Sequence, residues 1–288
     1  MKNIHTLPSS FLSKFKKSSL SRLRMLVILA VSIGFFVFST SSFMTYQNGN
    51  RVAMLSGVAF TKGEKISYLV HYGFINAGEA IVKVDNNSHN VNGNSCYRVD
   101  VEGKTVGVFA WTTDVDDKWS SYIDTQKHIP RKFYRKIKEN KYRKEETVMF
   151  DHNGKQANVK YKKRNDKNWT KKEYPIPTNV QDMISGYYFL RRVDYEKLTK
   201  NEIIRMDAFF EDSVYDFKVR YIGKETIKTK LGKKETFVMT PIMPENGIFS
   251  GKESIKIWMS ADEDRIPLKI RADMFIGGVE VDITEYEK

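Results

Sequence analysis

The strongest constraint on what this chain can fold into is a period-two alternation that recurs along most of its length. Between Lys62 and Val84, Ile66, Tyr68, Val70 and Tyr72 fall on one side and Lys65, Ser67 and His71 mostly on the other. Ala80, Val82 and Val84 resume the pattern beyond Ala77-Gly78. Side chains of a strand alternate between its two faces, so this stretch predicts two half-buried antiparallel strands joined at a short Gly-rich turn around Ala77-Gly78. The same signal returns near the end of the chain. Ile255, Ile257 and Met259 share one face, then Leu268, Ile270, Ala272, Met274 and Ile276, then Val279, Val281 and Ile283, with Gly277-Gly278 read as a two-residue hairpin turn. Asn86-Asn87-Ser88, Asn92-Gly93-Asn94, Glu139-Asn140-Lys141 and Asp151-His152-Asn153-Gly154 divide the middle into further strands.

One segment departs from this rhythm. From Thr178 to Arg192, Val180, Met183, Ile184, Tyr187, Tyr188 and Phe189 or Leu190 recur at three- and four-residue intervals, and Thr178 and Gln181 stand at capping-box spacing. The spacing predicts a helix over 178–192 whose aromatic face packs on the concave side of a sheet. The fold class expected is therefore β-rich α+β, a long antiparallel meander forming a curved or incompletely closed barrel with one packed amphipathic helix.

Charge is distributed unevenly. The net +13 divides into six Lys or Arg and no acid in residues 1–42, sixteen bases against five acids in 131–172, and about −4 over everything else. The first block precedes the apolar run Met25 to Phe38, which is followed by Ser39-Thr40-Ser41-Ser42. Basic, apolar and then small residues is the plan of a secretory signal peptide, with an uncleaved N-terminal anchor in the inner membrane as the alternative. Either version places the rest of the chain in the periplasm or on the periplasmic face of the envelope. The organisation expected is a signal peptide or anchor over 1–42, a linker over 43–62 and a single β-rich domain over 63–288. The one cysteine, Cys96, has no partner for an intramolecular disulfide and no suggested His beside it, so it reads as a structural thiol.

Three segments together carry a resemblance. The opening GEKISYLVHYGFINAGEAIVKV, the run Asp182-Met183-Ile184-Ser185-Gly186-Tyr187-Tyr188-Phe189-Leu190-Arg191, and Ile257-Trp258-Met259-Ser260-Ala261-Asp262 with Arg265-Ile266-Pro267-Leu268 occur in this order. In this they resemble the family called domain of unknown function 3108, over about Gly63 to Thr284. The resemblance implies an exported β-rich envelope domain of bacteria with two membranes, and it implies no reaction and no residue role.

The residues themselves offer little catalytic chemistry. The five histidines lack metal-ligand spacing, and neither a GxSxG elbow nor a Gly-rich phosphate loop is present, so no cofactor and no metal are expected and the chain reads as non-enzymatic. The alternative is a hydrolase of envelope polymers using Asp114, Asp116 or Glu253 as acid and base. The basic stretch suggests a binding surface: Arg131, Arg135, Lys136 and Lys138 on a hairpin face near aromatic rings, extended by Lys160, Lys162, Lys163, Arg164, Lys167, Lys171 and Lys172. For an exported protein the partners this field favours are anionic lipid, lipopolysaccharide phosphates or acidic glycans, with no nucleic acid. A solvated lysine-rich sheet face explains the same residues. Trp111, Trp119, Trp169 and Trp258, with Tyr187 and Tyr188 on the helix, either line a cavity for a hydrophobic ligand or build the core. A third reading is an assembly factor that pairs an exposed strand edge with an envelope protein.

Overall fold

The computed structural model describes Met54 and residues 60–242, 253–274 and 277–288; the expected signal peptide and most of the expected linker lie outside the described residues. Among the described residues no helix is long and apolar enough to cross a membrane. The strands are β1 (Lys65–Tyr72), β2 (Ile75–Val91), β3 (Asn94–Thr105), β4 (Asp116–Asp124), β5 (Pro130–Glu139), β6 (Tyr142–Asp151), β7 (Gln156–Lys163) and β8 (Thr170–Pro175). After the helices come β9 (Ile203–Phe210), β10 (Ser213–Thr229), β11 (Gly232–Pro241), β12 (Ile255–Ser260), β13 (Pro267–Asp273) and β14 (Gly278–Glu287). Helix α1 (Gly107–Thr112) sits between β3 and β4, and α2 (Met183–Arg191) between β8 and β9.

All 14 strands form one antiparallel sheet in the order β8-β7-β6-β5-β4-β3-β2-β1-β14-β13-β12-β11-β10-β9. Two meanders, β1 to β8 and β9 to β14, are joined through the pairing of β1 with β14, from Lys65 opposite Glu287 to Tyr72 opposite Val279. The sheet curls without closing into a barrel, and its two edges are brought together by other means. Gln181 bridges to β9, its amide donating to the Asp207 carbonyl at 2.8 Å and its carbonyl accepting from Phe209 at 2.8 Å. Tyr174 of β8 meets the Phe209 ring of β9 at 5.8 Å.

The alternation read from the sequence decides what is buried. Ile66, Tyr68, Val70, Ile255, Ile257, Met259, Val279, Val281 and Ile283 enter one apolar cluster with β9 to β11. Val84, Val99, Trp119, Phe133, Val148 and Val159 enter a second. Helix α2 lies between the two on the concave side, giving Leu190 to the first and Met183, Ile184 and Tyr188 to the second. This is the packing expected of its aromatic face.

Three local expectations are corrected. The first hairpin turns at Gly73-Phe74, where Gly73 has φ +58°, rather than at Ala77-Gly78. Gly78 instead lies within β2, where a Cβ would stand 2.9 Å from the Lys104 carbonyl oxygen of β3, so its missing side chain serves close strand approach. Second, the helix is shorter than 178–192, because the Gln181 backbone is committed to β9. Its N-cap is Asp182, whose carboxylate accepts from the amides of Ile184 and Ser185 while Ser185 Oγ accepts from the Asp182 amide, a capping box one turn later than predicted. Third, Gly278 pairs with Asp273 as the first residue of β14, so the Gly277-Gly278 pair flanks the last turn instead of forming it.

Candidate functional site

On β5, Phe133, Arg135 and Ile137 point inward while Lys132, Tyr134 and Lys136 point outward. The register continues this outer face across four strands: Tyr134 stands opposite Thr147 of β6, Thr147 opposite Lys160 of β7, and Lys160 opposite Lys171 of β8. In the neighbouring row Lys136 faces Glu145, which faces Lys162. Among the described residues, no ion pair is formed by Lys132, Lys136, Lys160, Lys162 or Lys171. Two of these ammonium groups lie over aromatic rings, Lys132 over Tyr122 at 5.1 Å and Lys160 over Trp169 at 4.6 Å. Directly opposed like charges such as Lys160 and Lys171 destabilise a sheet, so this face keeps positive charge at a cost. Lysines on an edge strand such as β8 also oppose edge-to-edge pairing.

The structure divides the residues proposed from the sequence for this patch. Lys136 is exposed on the outer face. Arg131 is half-buried, with Nε and Nη2 donating to Asp124 Oδ2 at 2.9 and 2.6 Å. The Lys138 ammonium lies 3.3 Å from Asp114 and 3.7 Å from Asp116, which places two of the carboxylates considered for hydrolysis in a surface ion pair. The third, Glu253, pairs with Arg220 at 2.8 Å. Arg135 leaves the patch altogether. It is 1% exposed on the concave side, with Nε 2.8 Å from Glu146 Oε1 and Nη2 donating to Glu211 at 3.2 Å, and its guanidinium stacks over Phe210 at 5.0 Å. Lys144 completes the group, 2.6 Å from Glu146 Oε2.

Beside this cluster lies a feature missed from the sequence, the carboxyl pair of Asp117 and Glu139. Asp117 is buried and accepts from the Lys138 amide at 2.8 Å. Burial pushes its carboxyl up to about 6, and burial followed by the neighbouring Asp117 charge pushes Glu139 up to about 7. Both carboxyls are therefore held protonated to higher pH than exposed ones. Their inward direction follows from the same alternation that turns Arg135 and Ile137 inward.

The aromatic residues do not converge on one cavity. Tyr188 is packed edge-on to Phe60 at 4.4 Å in the second apolar cluster, and Tyr187 lies against Tyr188 at 4.9 Å and beneath the Arg191 guanidinium. Trp119 is core, edge-on to Phe133. Trp258 is on the other side of β12 from Ile257 and Met259, its indole N–H donating to Glu225 at 3.0 Å, and Trp111 and Trp169 are exposed. Cys96 is buried, and burial raises its thiol to about 11, in keeping with a structural role.

A surface cleft of about 500 Å³ opens between the β1–β2 turn and the β10–β11 turn, lined by His71, Phe74, Lys228, Lys230, Lys269 and Asp282 among others. His71 Nε2 is 2.6 Å from Asp282 and 3.9 Å from Glu280, and its Nδ1 is 2.8 Å from the Gly73 carbonyl oxygen. One histidine isolated in the sequence, His71, thus meets two carboxylates from β14. Lys269 and Arg271 already contact Glu280, so the three potential ligands form part of a charge-balanced cross-strand cluster.

Comparison with known proteins places this geometry. The family model described as "Protein of unknown function (DUF3108)" matches residues 67–284. The chain belongs to the DUF3108 family. No curated protein matches it in sequence. Among solved structures, a beta-barrel-like protein of domain of unknown function DUF1849 from Brucella abortus superposes with a TM-score of 0.51 at 10% identity, covering 82% of this chain and 99% of that one. At that identity the likeness concerns the fold, which DUF3108 here shares as a curled, barrel-like antiparallel sheet. Two weaker matches are an exported protein with YmcC-like fold from Bacteroides fragilis (TM-score 0.34, 6% identity, 82% and 100% covered) and a lipoprotein from Parabacteroides distasonis (TM-score 0.31, 12% identity, 83% and 100% covered).

Proposed function

We propose that this DUF3108 protein is an exported, non-enzymatic envelope protein that binds an anionic envelope component through the outer face of β5 to β8. The observation that carries this reading is the set of outward lysines without ion-pair partners, Lys132, Lys136, Lys160, Lys162 and Lys171, spread over adjacent strands beside Tyr122, Tyr134 and Trp169. Export is supported by the basic, apolar and small-residue order of the N-terminus. Such a face attracts phosphate-bearing lipid headgroups, and each basic residue near an anionic surface contributes about 1 kcal/mol.

Charge reversal tests it. Replacing Lys132, Lys136 and Lys160 together by Glu lowers affinity for phosphatidylglycerol vesicles or lipopolysaccharide by roughly a hundredfold or more on that scale. The dependence of binding on salt concentration falls as these three charges are reversed. Cosedimentation over a salt series reads both effects. Affinity unchanged by the triple reversal overturns the assignment of the face.

A further inference from the structure

The fold leaves aromatic side chains exposed at one end of the sheet. Phe74 is 96% exposed, Trp111 89% and Val108 55%, whereas Trp119 and Trp258 are 8% exposed. Because neighbouring strands are antiparallel, the β1–β2, β3–β4, β5–β6 and β7–β8 connections all lie at this same end. Hydrogen bonds link them side by side. The Val106 amide donates to the Ala77 carbonyl at 3.0 Å, joining α1 to the β1–β2 hairpin. Asn140 of the β5–β6 turn donates its amide to the Asp114 carbonyl at 2.7 Å, and Arg164 after β7 donates to the Lys141 and Arg143 carbonyls at 3.3 and 3.1 Å.

The exposure is built rather than the result of a loose end. Helix α1 is anchored by Phe109, which packs with Ala77, Val115 and Tyr72, and this turns Val108 and Trp111, three residues apart, to the opposite side. Tyr142 and Trp169 continue the exposed aromatics along the rim at 44% and 38%. Lys141, Arg164 and Lys167 belong to the same β5–β6 and β7–β8 connections, and Lys228 and Lys230 share the cleft with Phe74. Among the described residues, these five cations make no ion pair.

We propose that this rim docks on an anionic phospholipid bilayer surface, with Phe74 and Trp111 entering the headgroup region and the rim cations meeting lipid phosphates. Single rings on separate turn tips, interleaved with cations, suit a soft anionic interface. An indole buries its apolar body there while its N–H stays hydrated, and a Lys or Arg stem lies along apolar surface with its charge at the headgroups. The proposal rests on the reading above only in taking the chain to be exported: Trp169 borders both surfaces, but Phe74, Trp111 and the five rim cations are distinct from the outer-face lysines.

The test uses the full chain and vesicles of phosphatidylglycerol and phosphatidylethanolamine, some carrying bromine on the upper acyl chain. The Trp111 contribution is taken as the difference in fluorescence between the wild type and Trp111→Phe. The expected result is quenching of that contribution by the brominated lipid. A Phe74→Ser/Trp111→Ser variant, with its urea midpoint unchanged, binds at least tenfold more weakly. The Lys132, Lys136 and Lys160 reversal, at saturating vesicle concentration, leaves Trp111 quenching intact. Trp111 that stays unquenched in bound protein overturns the proposal, as does rim-variant binding equal to wild type. If, in addition, the lysine reversal alone abolishes binding, the outer face survives as the binding site and the rim does not.

Discussion

Glu64 and Arg191, 127 residues apart in the chain, are 1% and 0% exposed and face each other in a bidentate pair at 2.6 and 2.8 Å. Arg191 also donates to the Asp264 carbonyl from Nε and Nη2, at 3.1 and 2.8 Å, so a single guanidinium ties the end of α2 to the start of β1 and to the β12–β13 turn. Breaking one side of such a pair strands a buried charge. Glu64→Gln is expected to cost about 3–5 kcal/mol in urea unfolding, and Glu64→Gln combined with Arg191→Met less than the sum of the two single changes. The Asp117 and Glu139 pair gives the opposite electrostatic result. Both carboxyls are raised above their unfolded values, to about 6 and about 7, chiefly by burial. The folded state therefore holds more protons than the unfolded state between about pH 4 and 7. Their contribution to stability is fully present below pH 4 and is lost as pH rises through 6 and 7. Asp117→Asn/Glu139→Gln is expected to flatten this decline in a pH series of thermal midpoints. A decline equally steep in the double variant contradicts the raised protonation of these two carboxyls. Neither pair was legible beforehand, because a charge's burial depends on what lies across the sheet.

At the scale of elements, α2 depends on its N-cap residue. Asp182 is buried, accepts from Ser121 Oγ at 2.6 Å and from two amides of the first helical turn, and its carboxyl is pushed up to about 6 by burial against the opposing pull of those hydrogen bonds. Asp182→Ala removes the cap and leaves the Ser121 hydroxyl without its carboxylate acceptor, an expected loss of about 2–4 kcal/mol. Asp182→Asn keeps an acceptor oxygen and is expected to lose less; equal losses in the two variants contradict the capping role. The helix itself was legible from its three- and four-residue spacing. Its start was not, since Thr178 and Gln181 satisfy the capping pattern as written and only the bridge from Gln181 to β9 disqualifies them. The β5–β6 hairpin was legible for a local reason: Asn140-Lys141 separates two alternating runs, and Asn140 adopts the φ of +50° that such a turn requires. The same alternation placed Arg135 between Phe133 and Ile137, a signal for burial that the density of neighbouring cations obscured.

For the whole molecule, the joining of two meanders through β1 and β14 puts the start and end of the described domain in the middle of the sheet and leaves β8 and β9 as edges. That arrangement brings Glu211, from the β9–β10 turn, to Arg135 and Lys144 on β5 and β6, and Phe209 to Phe150 and Tyr174. It also gathers the exposed aromatics of separate turns at one end. Sequence alone determined the β-rich class, most strand faces, the packed helix and the segregated charge of 131–172, because a two-residue or 3.6-residue period and a count of charges are properties of the local chain. Only the tertiary structure decided which charges are buried, where the sheet's edges approach each other and which aromatic residues reach solvent. Those outcomes depend on contacts between residues tens to more than a hundred positions apart, and local spacing does not encode which strands become neighbours.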